Sequence, residues 1–197
     1  MNQIDPQWVN QTLNGDDEAF ARIVECMQTP VFNFCYRMLG DESDAEDASQ
    51  ETFWRAYKNL NKFDQQRPFG TWLLSIAAHH CIDRQRRHSL PGIPLDSLPE
   101  ESAPDASAGP EHTLIRNLDQ QRVHQALNKL SENDRAAVIF YYWYDYSYEE
   151  IARTLGITES ALKSRLHRAR ILLANVYSEN NNDVFIKQRR HHESPAF

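Results

Sequence analysis

The 197-residue chain carries a formal net charge of −7, a sequence pI near 5.6, a mean hydropathy of −0.68 and a 41% apolar share, enough for ordinary globular cores in one large or two small domains. No stretch approaches the ~20 apolar residues of a membrane-spanning helix. Met1 to Gly15 lacks the basic-then-apolar layout of a secretory leader, so a cytoplasmic location without membrane association is expected. Three cysteines, Cys26, Cys35 and Cys81, each set among apolar residues, exclude a disulfide scaffold and read as small buried hydrophobes of a reducing compartment.

Strand signals are nearly absent and helical periodicity is abundant, so the expected fold class is all-α. Phe20, Ile23, Val24, Met27, Val31, Phe34 and Met38 recur at three- and four-residue steps and mark one helical face. Pro30 should bend or break that helix and Gly40 can end it. Ser43 to Glu46 has the Ser-x-x-Glu form of a capping box, opening a helix to about Leu60. Another helix begins near Pro68 and carries Trp72, Leu73, Ile76, Ala77 and Ile82. Pro91, Pro94, Pro99, Pro104 and Pro110 then interrupt all periodicity, with Ser, Asp and Glu between them. Leu114, Leu118, Val123, Leu127 and Leu130 resume it. Ser131 to Asp134 signals a further cap before Ala137, Val138, Phe140 and Tyr141. The expected organisation is two small helical domains, 1–88 and 111–177, joined by a flexible acidic linker, 89–110, and followed by a polar, disordered tail, 178–197.

Residues 148–170, YEEIARTLGITESALKSRLHRAR, carry the sharpest motif. Ser147 and Glu150 form a second capping box, and Gly156 stands where a tight interhelical turn needs positive φ. Thr158 suits the N-cap of the next helix. Ile151, Ala152, Leu155, Ile157, Leu162 and Leu166 would seal the two helices, with Ala169 and Leu173 continuing the inner face. Ser160, Lys163, Ser164, His167 and Arg168 would face outward, flanked by Arg165 and Arg170. That is a helix-turn-helix with donors suited to base edges and phosphates in a major groove. A helical hairpin with a merely solvated basic face is the plainer alternative, but four basic residues within eight positions directly after the turn favour nucleic-acid reading. The overall charge is acidic, and basic clusters occur only locally, at 84–87 and 163–170. Such a chain suits a DNA reader that draws affinity from a partner.

Residues 148–170 resemble region 4.2 of the extracytoplasmic-function (ECF) sigma factors of the sigma-70 family, and LNKLSENDRAAVIFYYWYDYS before them resembles region 4.1. DAEDASQETFWRAYKNLNKF resembles region 2.2 with the start of 2.3, and FGTWLLSIAAHHCIDRQRR resembles the end of 2.3 with 2.4. The similarity runs from about Glu18 to Leu173, in the family's order, with no region 3 between. The resemblance implies an RNA polymerase subunit that selects promoters. Asp44, Glu46, Asp47, Gln50, Glu51 and Phe53 match the surface that docks on the β′ clamp helices; the second lobe would meet the β flap. Phe63, Asp64, Phe69, Trp72, His79, Asp83, Arg84, Arg86 and Arg87 match the −10 element reader, which holds single-stranded bases and backbone phosphates. Of these, Trp72 is better suited to the core, and the loop from Asp64 to Gly70 is the better candidate for base capture. Ser160, Lys163, Ser164, Arg165, His167, Arg168 and Arg170 match the reader of the −35 duplex. Control by an anti-sigma protein is also implied, or by the tail. The acidic linker would suit the basic channel that RNA later takes. His79 departs from a frequent Asn, Thr158 from a frequent Pro and Ser160 from a frequent Gly, which bears on base preference.

No cofactor is expected. His79, His80, Cys81 and His88 invite a metal reading, but neighbouring helical residues point about 100° apart and no Cys-x-x-Cys or His-x-x-x-His pair accompanies them. An enzyme is disfavoured by the lack of a phosphate loop or nucleophile motif. A free-standing DNA regulator would need a ligand or dimer domain, where the first lobe looks like a polymerase-docking module. A polymerase-binding decoy is the remaining alternative.

Overall fold

A computed structural model describes residues 4–88 and 121–191, with side chains described for 4–87 and 121–176. The described residues are helical with no strand. The proline-rich linker, Leu114 and Leu118 lie outside them.

The first lobe starts earlier than the sequence pattern indicates. Asp5 accepts from the Gln7 amide and Pro6 opens α1 (Pro6–Leu13), which buries Val9 and Thr12. In α2 (Asp17–Leu39) the Asp16 carboxylate caps the Ala19 amide, and Gly40 ends the helix at φ +84°. Its buried stripe is Ile23, Met27, Val31, Phe34 and Met38. Pro30 does not break it. Proline removes one ladder donor, and packing against α1, α3, α4 and α6 holds the helix on both sides of that gap. α3 (Glu42–Lys58) begins at an Asp41 cap, whose carboxylate accepts from the Asp44 amide at 2.8 Å. The box expected at Ser43 does not form, because Asp41, directly after the glycine, takes the cap two residues earlier. A 3-10 turn (Leu60–Lys62) and a short loop lead to α4 (Phe69–His88).

The second lobe comprises α5 (residues 121–128), α6 (Glu132–Trp143), α7 (Tyr148–Leu155) and α8 (Glu159–His191). Ser131 caps α6, and the Ser147–Glu150 capping box forms in full. Gly156 ends α7 in the left-handed conformation at φ +65°, and the Thr158 hydroxyl accepts from the Ala161 amide. Val123 is exposed on α5 rather than part of its apolar face. α8 runs as helix to His191, with no Gly or Pro between Ile157 and Ser194 to interrupt it. Residues 192–197 lie outside the described ones.

The two lobes share one continuous core. Phe34 of α2 meets Phe140 of α6 with ring centroids 4.8 Å apart, and Tyr144 stands edge-on to Phe34 at 5.8 Å. The Tyr144 hydroxyl donates to the Pro30 carbonyl at 2.6 Å. Arg37 lies over the Trp143 ring at 5.2 Å. At the centre is Arg135, only 6% exposed. Its guanidinium donates to the Met38 carbonyl at the end of α2, to the Leu127 carbonyl at the end of α5 and to the Leu130 carbonyl in the turn that follows. One side chain thus adds a donor at two helix ends, where the Met38 carbonyl also accepts from Gln85 and the Leu127 carbonyl from the Leu130 amide.

Two outcomes are expected in urea denaturation of the full chain. Arg135→Met should cost on the order of 1–3 kcal/mol, because the charge-assisted bond that joins α6 to the Met38 carbonyl is lost, although Gln85 still donates to that oxygen, and should split one transition into two. Gly156→Ala should cost about 1–2 kcal/mol from the left-handed backbone alone, as an added Cβ there meets nothing within 4 Å.

Candidate nucleic-acid and polymerase interfaces

Three exposed surfaces carry the residues singled out by sequence. On α8, Leu162, Leu166 and Ala169 are buried against α6 and α7, and Leu173 is partly buried. Helical geometry then turns the intervening positions outward, and Ser160, Lys163, Ser164, His167, Arg168 and Arg170 are all exposed. Arg165 is not on that face. It is half-buried and bonded to Asp134 of α6 at 3.0 Å, so it braces α8 against the lobe. Arg170 is exposed but held: its Nε donates to the Tyr142 hydroxyl oxygen at 2.9 Å, and its hydrogen bond to the Tyr148 hydroxyl lowers that phenol's pKa. Lys163 lies 5.8 Å over the Tyr148 ring. These tyrosines pre-position the basic face, and sequence reading missed them because they sit 15 to 28 residues upstream of the cations they touch.

On α3, Glu46, Asp47 and Gln50 are exposed and Asp44 is half-buried, forming the expected acceptor stripe. Glu51 is paired with Arg55 at 2.6 Å on the same helix. Phe53 departs from expectation: it is 8% exposed and turned into the core with Ala45, Ala48 and Ala56, so it supports the stripe from beneath.

The third surface joins the loop after the 3-10 turn to α4. Phe63, Phe69 and Trp72 form a ring cluster with centroids 5.1 to 5.5 Å apart. Phe69 is buried, whereas Phe63 and Trp72 are half-exposed on its outer side. Trp72 therefore serves both core and surface. Asp64 is exposed and accepts from the Gln66 amide, shaping the loop. His79 is exposed, and its Nδ1 donates to the Ser75 carbonyl at 2.6 Å, leaving Nε2 of the neutral ring as an outward acceptor. Asp83, Arg86 and Arg87 are exposed further along α4. Arg84 turns away from them to the Asp44 and Asp47 carboxylates of α3. It joins the acceptor stripe to the arginine cluster, a pairing across 40 residues that no local pattern signals.

Lobe closure treats the surfaces unequally. The face bearing Trp72 and His79 lies under α7, across a cavity of about 170 Å³ walled on the far side by Glu150, Arg153 and Thr154. Tyr146, whose burial pushes its hydroxyl up to about 12, lies beside Thr71 at the same seam. The basic face of α8 stays open to solvent. Among the described residues, no group of three His, Cys, Asp or Glu side chains is gathered as a metal ion would require, and no helix is long and apolar enough to cross a membrane.

Comparisons with known proteins agree with this geometry. Residues 23–90 match the family model for sigma-70 region 2, and residues 120–173 that for sigma-70 region 4. The chain is 34% identical over 171 residues to the ECF RNA polymerase sigma factor SigW of Bacillus subtilis, covering 82% of this chain and 90% of that one. It is 31% identical to the RNA polymerase sigma-H factor of Pseudomonas aeruginosa, covering 84% and 90%. In structure it resembles CnrH, solved in complex with the cytosolic domain of CnrY, with a TM-score of 0.67 and 25% identity over 89% of this chain and 98% of that one. Two helical lobes in this order, each matching its own region of one family, make the chain a member of the ECF sigma factors of the sigma-70 family.

Proposed function

We propose that the chain docks on core RNA polymerase through the acceptor stripe of α3, opens and reads the −10 element with the Phe63–Trp72–His79 face of α4, and reads the −35 duplex with the exposed face of α8. The observation that carries this reading is the pairing of an acidic stripe and a basic recognition helix in one chain of net charge −7. An isolated DNA reader needs a basic surplus to hold phosphates; a polymerase subunit borrows that affinity from the assembly. In this reading residues 1–88 and 111–177 act as separate modules with 89–110 between them, the chain works in the cytoplasm, and it acts by positioning rather than by catalysis.

Within the proposed −35 reader, Lys163, Ser164, His167 and Arg168 meet base edges or nearby phosphates, while Arg165 holds the helix in place. In the −10 reader, Trp72 and Phe63 offer faces on which unpaired bases stack, at roughly 1–3 kcal/mol per base. His79 offers an acceptor edge, and Arg86 and Arg87 hold phosphates. Arg84 is available to DNA only once it leaves Asp44. A protein partner of the anti-sigma kind belongs to this reading too, supported by the capture of CnrH with CnrY. Whatever its source of control, the −10 face must emerge from under α7 before it reads DNA.

Run-off transcription from a genomic promoter library, with purified core polymerase with and without the protein, tests the reading. New start sites sharing two upstream elements are expected. The Lys163→Ala/Arg168→Ala double variant should reduce those starts at least about tenfold while still co-purifying with core polymerase. Asp47→Arg, a change at an exposed side chain, should show the reverse: about tenfold weaker core binding with the fold intact. Clean sequence-specific DNA binding by the protein alone, with no new starts, would replace this reading with a free-standing regulator.

A further inference from the structure

The seam between the lobes contains a histidine in an unusual electrostatic position. His124 of α5 stands edge-on to the Tyr36 ring of α2, with centroids 4.5 Å apart. Its Nδ1 points toward Gly40, where an added Cβ would lie 4.0 Å away. That nitrogen is buried and has no hydrogen-bond partner among the described residues. The charged groups facing the ring are Arg37 of α2 and Arg135 of α6. On its own helix the neighbour at Gly40 is the neutral Asn128 amide. Glu132 acts on Arg135, and Tyr144 acts on Arg37. No described carboxylate compensates a charge on His124. We propose that closure of the two lobes is proton-linked through His124: protonating its ring drives α5 and α6 away from the end of α2.

A protonated ring in the closed form adds a third cation beside Arg37 and Arg135. It also buries a new N–H donor at Nδ1 with no acceptor in place. The unmet donor and the repulsion from Arg37 are relieved when the lobes part, since Arg37 leaves with α2 and the ring meets water, which also screens Arg135. Burial first, then the two guanidinium groups, hold the ring's pKa in the closed form below the ordinary histidine value. The closed form therefore binds fewer protons than the open one. It is favoured at pH above that ordinary value and loses ground as pH falls through it. The consequence for DNA rests on the proposed function: opening uncovers the Trp72–His79 face, so mild acidification enlarges the binding-competent population. The opening itself rests only on the seam.

Small-angle scattering of the full chain at about pH 8 and about pH 5.5, with far-UV circular dichroism at both, tests the linkage. A reversible rise in radius of gyration with unchanged helicity is expected, corresponding to a several-fold fall in the closed-to-open ratio. His124→Gln, neutral at both pH values, should remain closed. An unchanged wild-type profile, or a His124→Gln variant that opens as far as wild type, overturns the proposal. Should the variant fail to fold, NMR titration of wild-type ring protons decides. His124 titrating below the ordinary histidine value supports the linkage, and titration at or above that value overturns it.

Discussion

The closed arrangement depends on the Arg135 guanidinium. A buried arginine ordinarily requires a carboxylate, yet this one is satisfied by main-chain carbonyls at the ends of α2 and α5. Carbonyls at a helix C-terminus carry partial negative charge and lack ladder donors, so they answer a planar, multi-donor cation well. Two helix ends from different lobes are thereby drawn to a single point. The Phe34–Phe140 contact and the Tyr144 bond to Pro30 then follow along α2. Without Arg135 the lobes would still meet through the Phe34–Phe140 contact and the Tyr144–Pro30 bond, but the ends of α2 and α5 would lose their common donor.

Much of each lobe was legible because its determinants are local. The Ser147–Glu150 box, the left-handed Gly156 and the Thr158 cap lie within a dozen residues, and each is dictated by a helix end's need for donors or acceptors. The stripe from Ile23 to Met38 is likewise a matter of period. Legibility failed where two local signals compete or where a long-range contact decides. Asp41 outcompeted Ser43 for the α3 cap. Pro30 was overruled by packing. α1 is too short to show a period, and the end of α8 carries no breaker and few apolar residues to mark its course. The seam was invisible for a different reason: Arg135, Tyr144 and His124 read as ordinary polar positions until their partners, about 90 to 115 residues away for Arg135 and Tyr144, are placed beside them.

The candidate surfaces show the same division. Outward positions on α8 follow from helical period once Leu162 and Leu166 are taken as buried. Arg165 and Phe53 belong to the matching motifs yet face inward, because a motif records which residues occur together and not which way each points. The link from Arg84 to Asp44 and Asp47 could not be read from either motif alone, since each carries only one of its charges.

Among the described residues no ion pair crosses the seam between the lobes; those that form lie within one lobe or the other. Aromatic stacking, main-chain acceptors and one cation over a ring hold it instead. Such contacts are weakly screened by dissolved ions, whereas contacts to phosphates and to a charged protein surface weaken steeply as counterions accumulate. Ionic strength therefore acts on this molecule in one direction. High salt leaves the seam intact while weakening any contact that the exposed charged faces make with phosphates or a charged surface, and so favours the closed shape.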